Sequence, residues 1–224
     1  MLLPSWTISS RSLIGVAVGA GLLFETTGVA AGVRSSTQIE AYRVGGTTAA
    51  SLVSYMRNHP YPGEHGDAVA NIVPRYSLSI ATKNAGAACK ASSVDLNVRF
   101  LMTLPHATNA SGMSPATRSA WTNFVSFARR HEESHRGIYL QCASGFVAKA
   151  MRLTASSCLA LQSNVRSLLE TEKRACDRRQ NAFDRGQYRS VLNLGLFAMA
   201  KSSGRKPARV ASVSGPSSAL EAPR

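Results

Sequence analysis

Polar and apolar positions alternate most regularly between Val94 and Thr103, where Val94, Leu96, Val98, Phe100 and Met102 share one face of an extended chain. Tyr76 to Thr82 repeats the alternation over a shorter stretch, and Ile39 to Val44 reads as a further strand turned by Gly45-Gly46. Thr47 or Thr48 caps a helix running to about Asn58, which the turn-forming His59-Pro60-Tyr61-Pro62-Gly63 brings to an end. Leu104-Pro105 reads as the stop of the best strand.

From Ser114-Pro115 the period changes to that of a helix, with serine as N-cap and proline at the first helical position. This helix is predicted to reach about Leu153, with His131, His135, Ile138 and Cys142 on one face and Phe146 beside them. Thr154 to Ser157 forms a short connection. A second helix follows and is expected to stop near Gly186, its buried stripe comprising Cys158, Leu161, Val165, Leu168, Glu172, Cys176 and Phe183. Helices joined so briefly pack antiparallel. The predicted fold is α+β: a small N-terminal antiparallel sheet with a helix, then a long antiparallel two-helix hairpin.

The two ends of the chain read differently. Arg11 precedes a short apolar run, Ser12 to Phe24, and small residues follow at Gly28-Val29-Ala30-Ala31, the pattern of a signal peptide spanning 1–31. The run is shorter than the roughly 20 apolar residues of a bilayer span, so a cleaved leader is expected rather than an anchor. From Lys201 onward, serine, proline, alanine and basic residues predict a disordered tail over 201–224. The domain between them is expected over 32–200, in a periplasmic or secreted protein.

Export changes how the four cysteines, Cys89, Cys142, Cys158 and Cys176, are read. An even number in an oxidising compartment favours disulfides, of which three connectivities are open, and without a CxxC pair a cysteine-built zinc site is not expected. The formal charge of +14 suits anionic envelope surfaces or acidic polymers, as well as plain solubility. Aromatic residues do not interleave with Arg129-Arg130, Lys173-Arg174 or Arg178-Arg179, so a nucleic-acid platform is not expected. There is no G-x-S-x-G elbow, P-loop or dinucleotide fingerprint.

Candidate chemistry centres on His131-Glu132-Glu133-Ser134-His135. Two histidines one turn apart project from the same side of a helix and can share one metal ion, with zinc the expected cofactor. Glu132, next to the first histidine, is placed to act as general base towards a zinc-activated water. Trp121, Phe124, Val125, Ile138 and Phe146 surround the motif with apolar residues, which argues against a merely solvated helix face. A third ligand is needed. Reflecting the hairpin about residues 153 and 154 places Glu172 opposite His135, on the buried stripe where an unpaired carboxylate is costly, so Glu172 is the first candidate and Asp184 the next. His106, and then His59 and His65, are weaker candidates; Tyr139 or Tyr188 could serve an oxyanion.

These features resemble a bacterial family described as predicted secreted zinc-dependent proteases, a domain-of-unknown-function family. The likeness runs from about Tyr42 to Tyr188. It rests on Tyr42-Arg43-Val44-Gly45-Gly46-Thr47, Cys89 before the alternating strand, Leu104-Pro105, Trp121 and Phe124 leading into the HExxH motif, and Cys158 with Leu161 after it. The resemblance implies a minimal zincin-like domain with peptidase activity on a peptide or protein substrate. It also implies a Cys89–Cys158 disulfide, leaving Cys142 and Cys176 as the second pair. Two departures stand out. Glu133 and Arg136 are charged where zinc-peptidase helices usually prefer uncharged residues, and Arg189 stands where the family has a histidine after its Tyr-Asp pair. They open an alternative, a catalytically inactive envelope-binding protein of the same fold.

Overall fold

A computed structural model describes residues 32–63 and 66–203. The expected signal peptide over 1–31, the tail over 204–224 and His65 lie outside the described residues. In chain order the elements are β1 (Val33–Val44), α1 (Ala49–Asn58), β2 (Tyr61–Gly63), β3 (Gly66–Ala68), β4 (Asn71–Ala85), β5 (Ala88–Ala107), α2 (Pro115–Ala150), β6 (Thr154–Ala155), α3 (Cys158–Leu192) and α4 (Gly195–Ser203). The α+β class holds: a sheet comes first and helices cover it.

The sheet has the order β1-β5-β4, with β6 pairing β5. β4 and β5 form a long antiparallel hairpin, turned next to Gly86, whose positive φ of 65° suits a residue without Cβ. A register shift between Ala81 and Thr82 changes the parity of β5, so that Cys89 and Ala91 face the core along with Val94, Leu96, Val98, Phe100 and Met102. The sheet is mixed rather than wholly antiparallel, because β1 runs parallel to β5 from Val33↔Leu96 to Val44↔Ala107. Pro105 does not stop β5. The last β4 pair is Asn71↔Thr103, so Pro105 lies where only β1 flanks the strand, an edge setting that tolerates proline.

Thr48 caps α1 in a reciprocal capping box with Ser51, and Ser114 caps α2 with Pro115 at its first position, as the sequence predicts. α2 ends at Ala150, three residues before the expected Leu153. α3 passes straight through Gly186 to Leu192, since one interior glycine costs only about 1 kcal/mol against a 35-residue helix. α4 absorbs Lys201–Ser203, which the sequence assigns to the tail.

Two apolar clusters hold these layers together. One joins the inner face of β5 to the later part of α2 and to α3, through Leu96, Phe100, Tyr139, Phe146, Leu161 and Val165. The other gathers Val44, Leu52, Met56, Trp121, Phe124 and Leu196 from β1, α1, the start of α2 and α4. α2 therefore runs antiparallel to β5, with Trp121 near Val44 and Ala107 at one end and Phe146 near Leu96 at the other. Cys89–Cys158 ties β5 to the start of α3 (Cα–Cα 5.1 Å), and Cys142–Cys176 ties α2 to α3 (Cα–Cα 6.0 Å). This is the pairing the resemblance implies. Among the described residues no helix is long and apolar enough to cross a membrane.

Candidate metal centre

Four bonds between α2 and α3 fix which residues face each other: Lys149 with Glu172, Cys142 with Cys176, His135 with Gln180, and His131 with Asp184. The third acidic side of the histidine pair is Asp184, not Glu172. Glu172 lies farther down the hairpin, paired with Lys149 Nζ at 2.7 Å. The hairpin folds back later than a reflection about residues 153 and 154 assumes. Residues 151–157 form an excursion in which Thr154 and Ala155 pair with Lys90 and Cys89, and only then does Ser157 cap α3. The delay displaces the facing positions by two helical turns.

At the far end three ligand atoms converge. His131 Nε2 and His135 Nε2 are 3.0 Å apart, and Asp184 Oδ1 lies 3.1 Å from the first and 2.8 Å from the second. Ligand atoms on a tetrahedral ion bonded at about 2.0–2.1 Å are separated by roughly 3.3 Å, so the observed triangle is within a few tenths of an ångström of a three-ligand metal site. Among the described residues these three form the group of metal-ligating side chains close enough to hold one ion.

Gln180 orients the pair. Its Nε2 donates to the backbone oxygen of His135 at 3.2 Å, which turns its Oε1 towards His135 Nδ1 at 2.6 Å. A carbonyl oxygen can only accept, so Nδ1 carries the proton and Nε2 offers its lone pair to the triangle. Gln180 is 1% exposed. In the sequence a buried glutamine carries no charge signal. Its spacing was nevertheless available: Cys176, Gln180 and Asp184 recur every four residues, one face of α3, opposite Cys142, His135 and His131.

Phe183 closes the centre on one side, its ring 5.1 Å from that of His131 and 5.0 Å from that of His135, and Phe127 stacks on His131 at 6.2 Å. Asp184 is the open side, with 38% of its side chain exposed. Two imidazole lone pairs and a carboxylate repel one another unless a metal ion or a proton lies between them, and without a metal ion protonated histidines donate to Asp184. Burial works against charge on His135, yet its hydrogen bonds to Asp184 and Gln180 raise its pKa above the ordinary imidazole value. Burial also opposes the Asp184 carboxylate, but hydrogen bonds from both histidines hold its pKa well below the usual range.

Glu132 is buried beside this group, at 4% exposure. Burial pushes its carboxyl pKa up, His135 and His131 pull it partly back, and Asp184 reinforces the rise. The other named candidates lie elsewhere. His106 is exposed on β5, and His59 caps α1, stacking on Tyr55 at 4.5 Å. Tyr139 is buried in the core, 6.1 Å from Phe100. The side chains of Tyr188 and Arg189 lie outside the described residues.

No curated protein and no solved structure matches the chain. Residues 39–188 match a bacterial family described as proteins of unknown function, DUF922, covering the strands, the histidine helix and the aspartate that faces it. The chain belongs to that family.

Proposed function

We propose that this chain is an exported zinc-dependent hydrolase that cleaves peptide bonds. The observation that carries the reading is the convergence of His131 Nε2, His135 Nε2 and Asp184 Oδ1 within 3.1 Å of one another, beside a buried Glu132. Two neutral imidazoles and one carboxylate, with a side left open, are a donor set suited to catalytic zinc. Bound there, zinc supplies a Lewis acid that polarises a carbonyl and acidifies water.

The chain's own groups do the rest. His131 and His135 hold the ion from one helix and Asp184 from the other, while Gln180 keeps His135 in the ligating tautomer. The Glu132 carboxylate takes the proton from the attacking water and returns it to the leaving amine. Phe127 and Phe183 keep bulk water from the histidine rings, and the exposed flank at Asp184 leaves an approach for substrate. Two disulfides suit an oxidising compartment, which supports export, and the +14 charge favours acidic substrates or anionic envelope components as partners.

Elemental analysis of the purified chain beside a His131→Ala/His135→Ala variant tests the site. About one zinc per chain, absent from the variant, is the expected result. No zinc in either after incubation with excess metal would sink the proposal. Glu132→Gln should retain zinc and abolish peptide hydrolysis; hydrolysis indifferent to that change would remove the general-base role and favour a binding protein.

A further inference from the structure

Arg136 follows His135 directly and lies one helical turn beyond Glu132, where a permanent positive charge needs an explanation. Its Nη2 donates to Ser35 Oγ on β1 at 3.2 Å, and its guanidinium carbon stands 5.7 Å from the centre of the Phe100 ring. Among the described residues no carboxylate pairs with it, and its Nε is buried without a hydrogen-bond partner. Arg136 is thus a guanidinium fixed by Ser35 and Phe100 whose permanent charge has no carboxylate beside it among the described residues.

The surroundings are open in the direction that matters. Ser35, Thr37 and Ile39 of β1 pair with Val98, Phe100 and Met102 of β5. Paired residues of a parallel ladder point to the same face, so all three look towards the helix layer that buries their β5 partners. They are nevertheless exposed, Ile39 to 49%. The helices thus leave the first part of β1 uncovered, a shelf along the flank of α2. Because α2 runs antiparallel to β5, stepping back from Arg136 to Glu132 covers about 6 Å, or roughly two strand residues. This sets Glu132 about level with Thr37 and Ile39. The shelf therefore runs from Arg136 to the level of Glu132 along α2.

We propose that Arg136, backed by Ser35 and the Phe100 ring, is a carboxylate-recognition site that selects acidic peptide substrates. A guanidinium takes a carboxylate through two parallel hydrogen bonds, and Ser35 and the Phe100 ring hold this one in a fixed position. The carboxylate can belong to an aspartate or glutamate side chain or to the C-terminus of the peptide. The inference rests on the peptidase reading for the orientation of the bound chain, but anion recognition by Arg136 requires no turnover.

The test uses the full chain loaded with zinc and carrying Glu132→Gln, immobilised and presented with randomised synthetic octapeptides as free acids and as C-terminal amides. Enrichment of aspartate and glutamate by about tenfold identifies side-chain recognition; enrichment of free acids over amides identifies the terminus. Either preference should vanish with Arg136→Gln and be partly restored with Arg136→Lys, at unchanged zinc content. Absence of any acidic preference, or a preference that survives Arg136→Gln, would overturn the proposal. Failure of the peptidase reading shows separately, as missing zinc or as lack of cleavage by the chain with Glu132 intact.

Discussion

His135 and Gln180 clasp each other twice across the helix pair, ring to amide oxygen at 2.6 Å and amide nitrogen to backbone oxygen at 3.2 Å. Gln180→Leu keeps the approximate volume and removes both bonds, leaving the His135 ring free to present either nitrogen. Zinc affinity is expected to fall by about 10–100-fold, the usual cost of losing an outer partner of a metal-bound histidine. Competitive titration against a chromophoric chelator measures it; unchanged affinity would show that Gln180 has no part in holding the ligand.

Asp184 and Glu172 should separate cleanly. Asp184→Asn removes the charge that faces both histidines, and stoichiometric zinc binding is expected to be lost. Glu172→Gln breaks a partly exposed pair with Lys149, for which at most about 1 kcal/mol of stability and no effect on zinc are expected. Elemental analysis and chemical denaturation of the two variants check both expectations.

The two disulfides should also differ in consequence. Replacing Cys142 and Cys176 by serine opens a 34-residue separation and replacing Cys89 and Cys158 opens one of 69, so each should cost about 3–4 kcal/mol. Only the first lies on the stripe that carries Gln180 and Asp184. Its removal is expected to weaken zinc binding as well, while the second leaves metal affinity in place. Denaturant melts paired with zinc titrations distinguish the outcomes.

Tyr42 predicts an alkaline limit. Its hydroxyl donates to the backbone oxygen of Val69 at 2.9 Å, and burial pushes its pKa up to about 12. The unfolded chain loses this proton near pH 10 and the folded chain only near pH 12, so the unfolded state binds fewer protons in that window. Stability therefore falls as pH rises from about 10 to 12, by up to roughly 2–3 kcal/mol from this group. Tyr42→Phe should flatten that part of the curve in thermal melts; an equal slope in the variant would assign the loss to other groups.

The parts of the fold that read most directly from the sequence are those whose side chains face two different environments. β5 buries alternate residues from Val94 to Met102, so its pattern is plain. The first half of β1 offers no such contrast, because Arg34 to Glu40 is exposed on both faces; only pairing with β5 makes it a strand. Thr48 and Ser114 announced their helices through local chemistry. Gly186 misled because helix propensity is a weak signal once a long helix has partners. His131, His135 and Glu132 were legible because their relation lies within one helix. The third member was not, since it depends on the register between two helices, and that register is set by Thr154 and Ala155 reaching back to β5. Eight residues of helix, about 12 Å, separate Glu172, which that reflection sets opposite His135, from the Gln180 that stands there.

That reach has a mechanical side. The helix pair is stitched at its turn by the β6 bridge and the Cys89–Cys158 bond, and again midway by Cys142–Cys176, while the histidines and Asp184 occupy the stretch beyond both stitches. An ion held there would act as the last fastener of a zip, and its departure would let the far ends of α2 and α3 part while the near ends stay shut. Loss of metal should therefore loosen Gln180 to Leu192 in hydrogen exchange and leave Cys158 to Cys176 as protected as before.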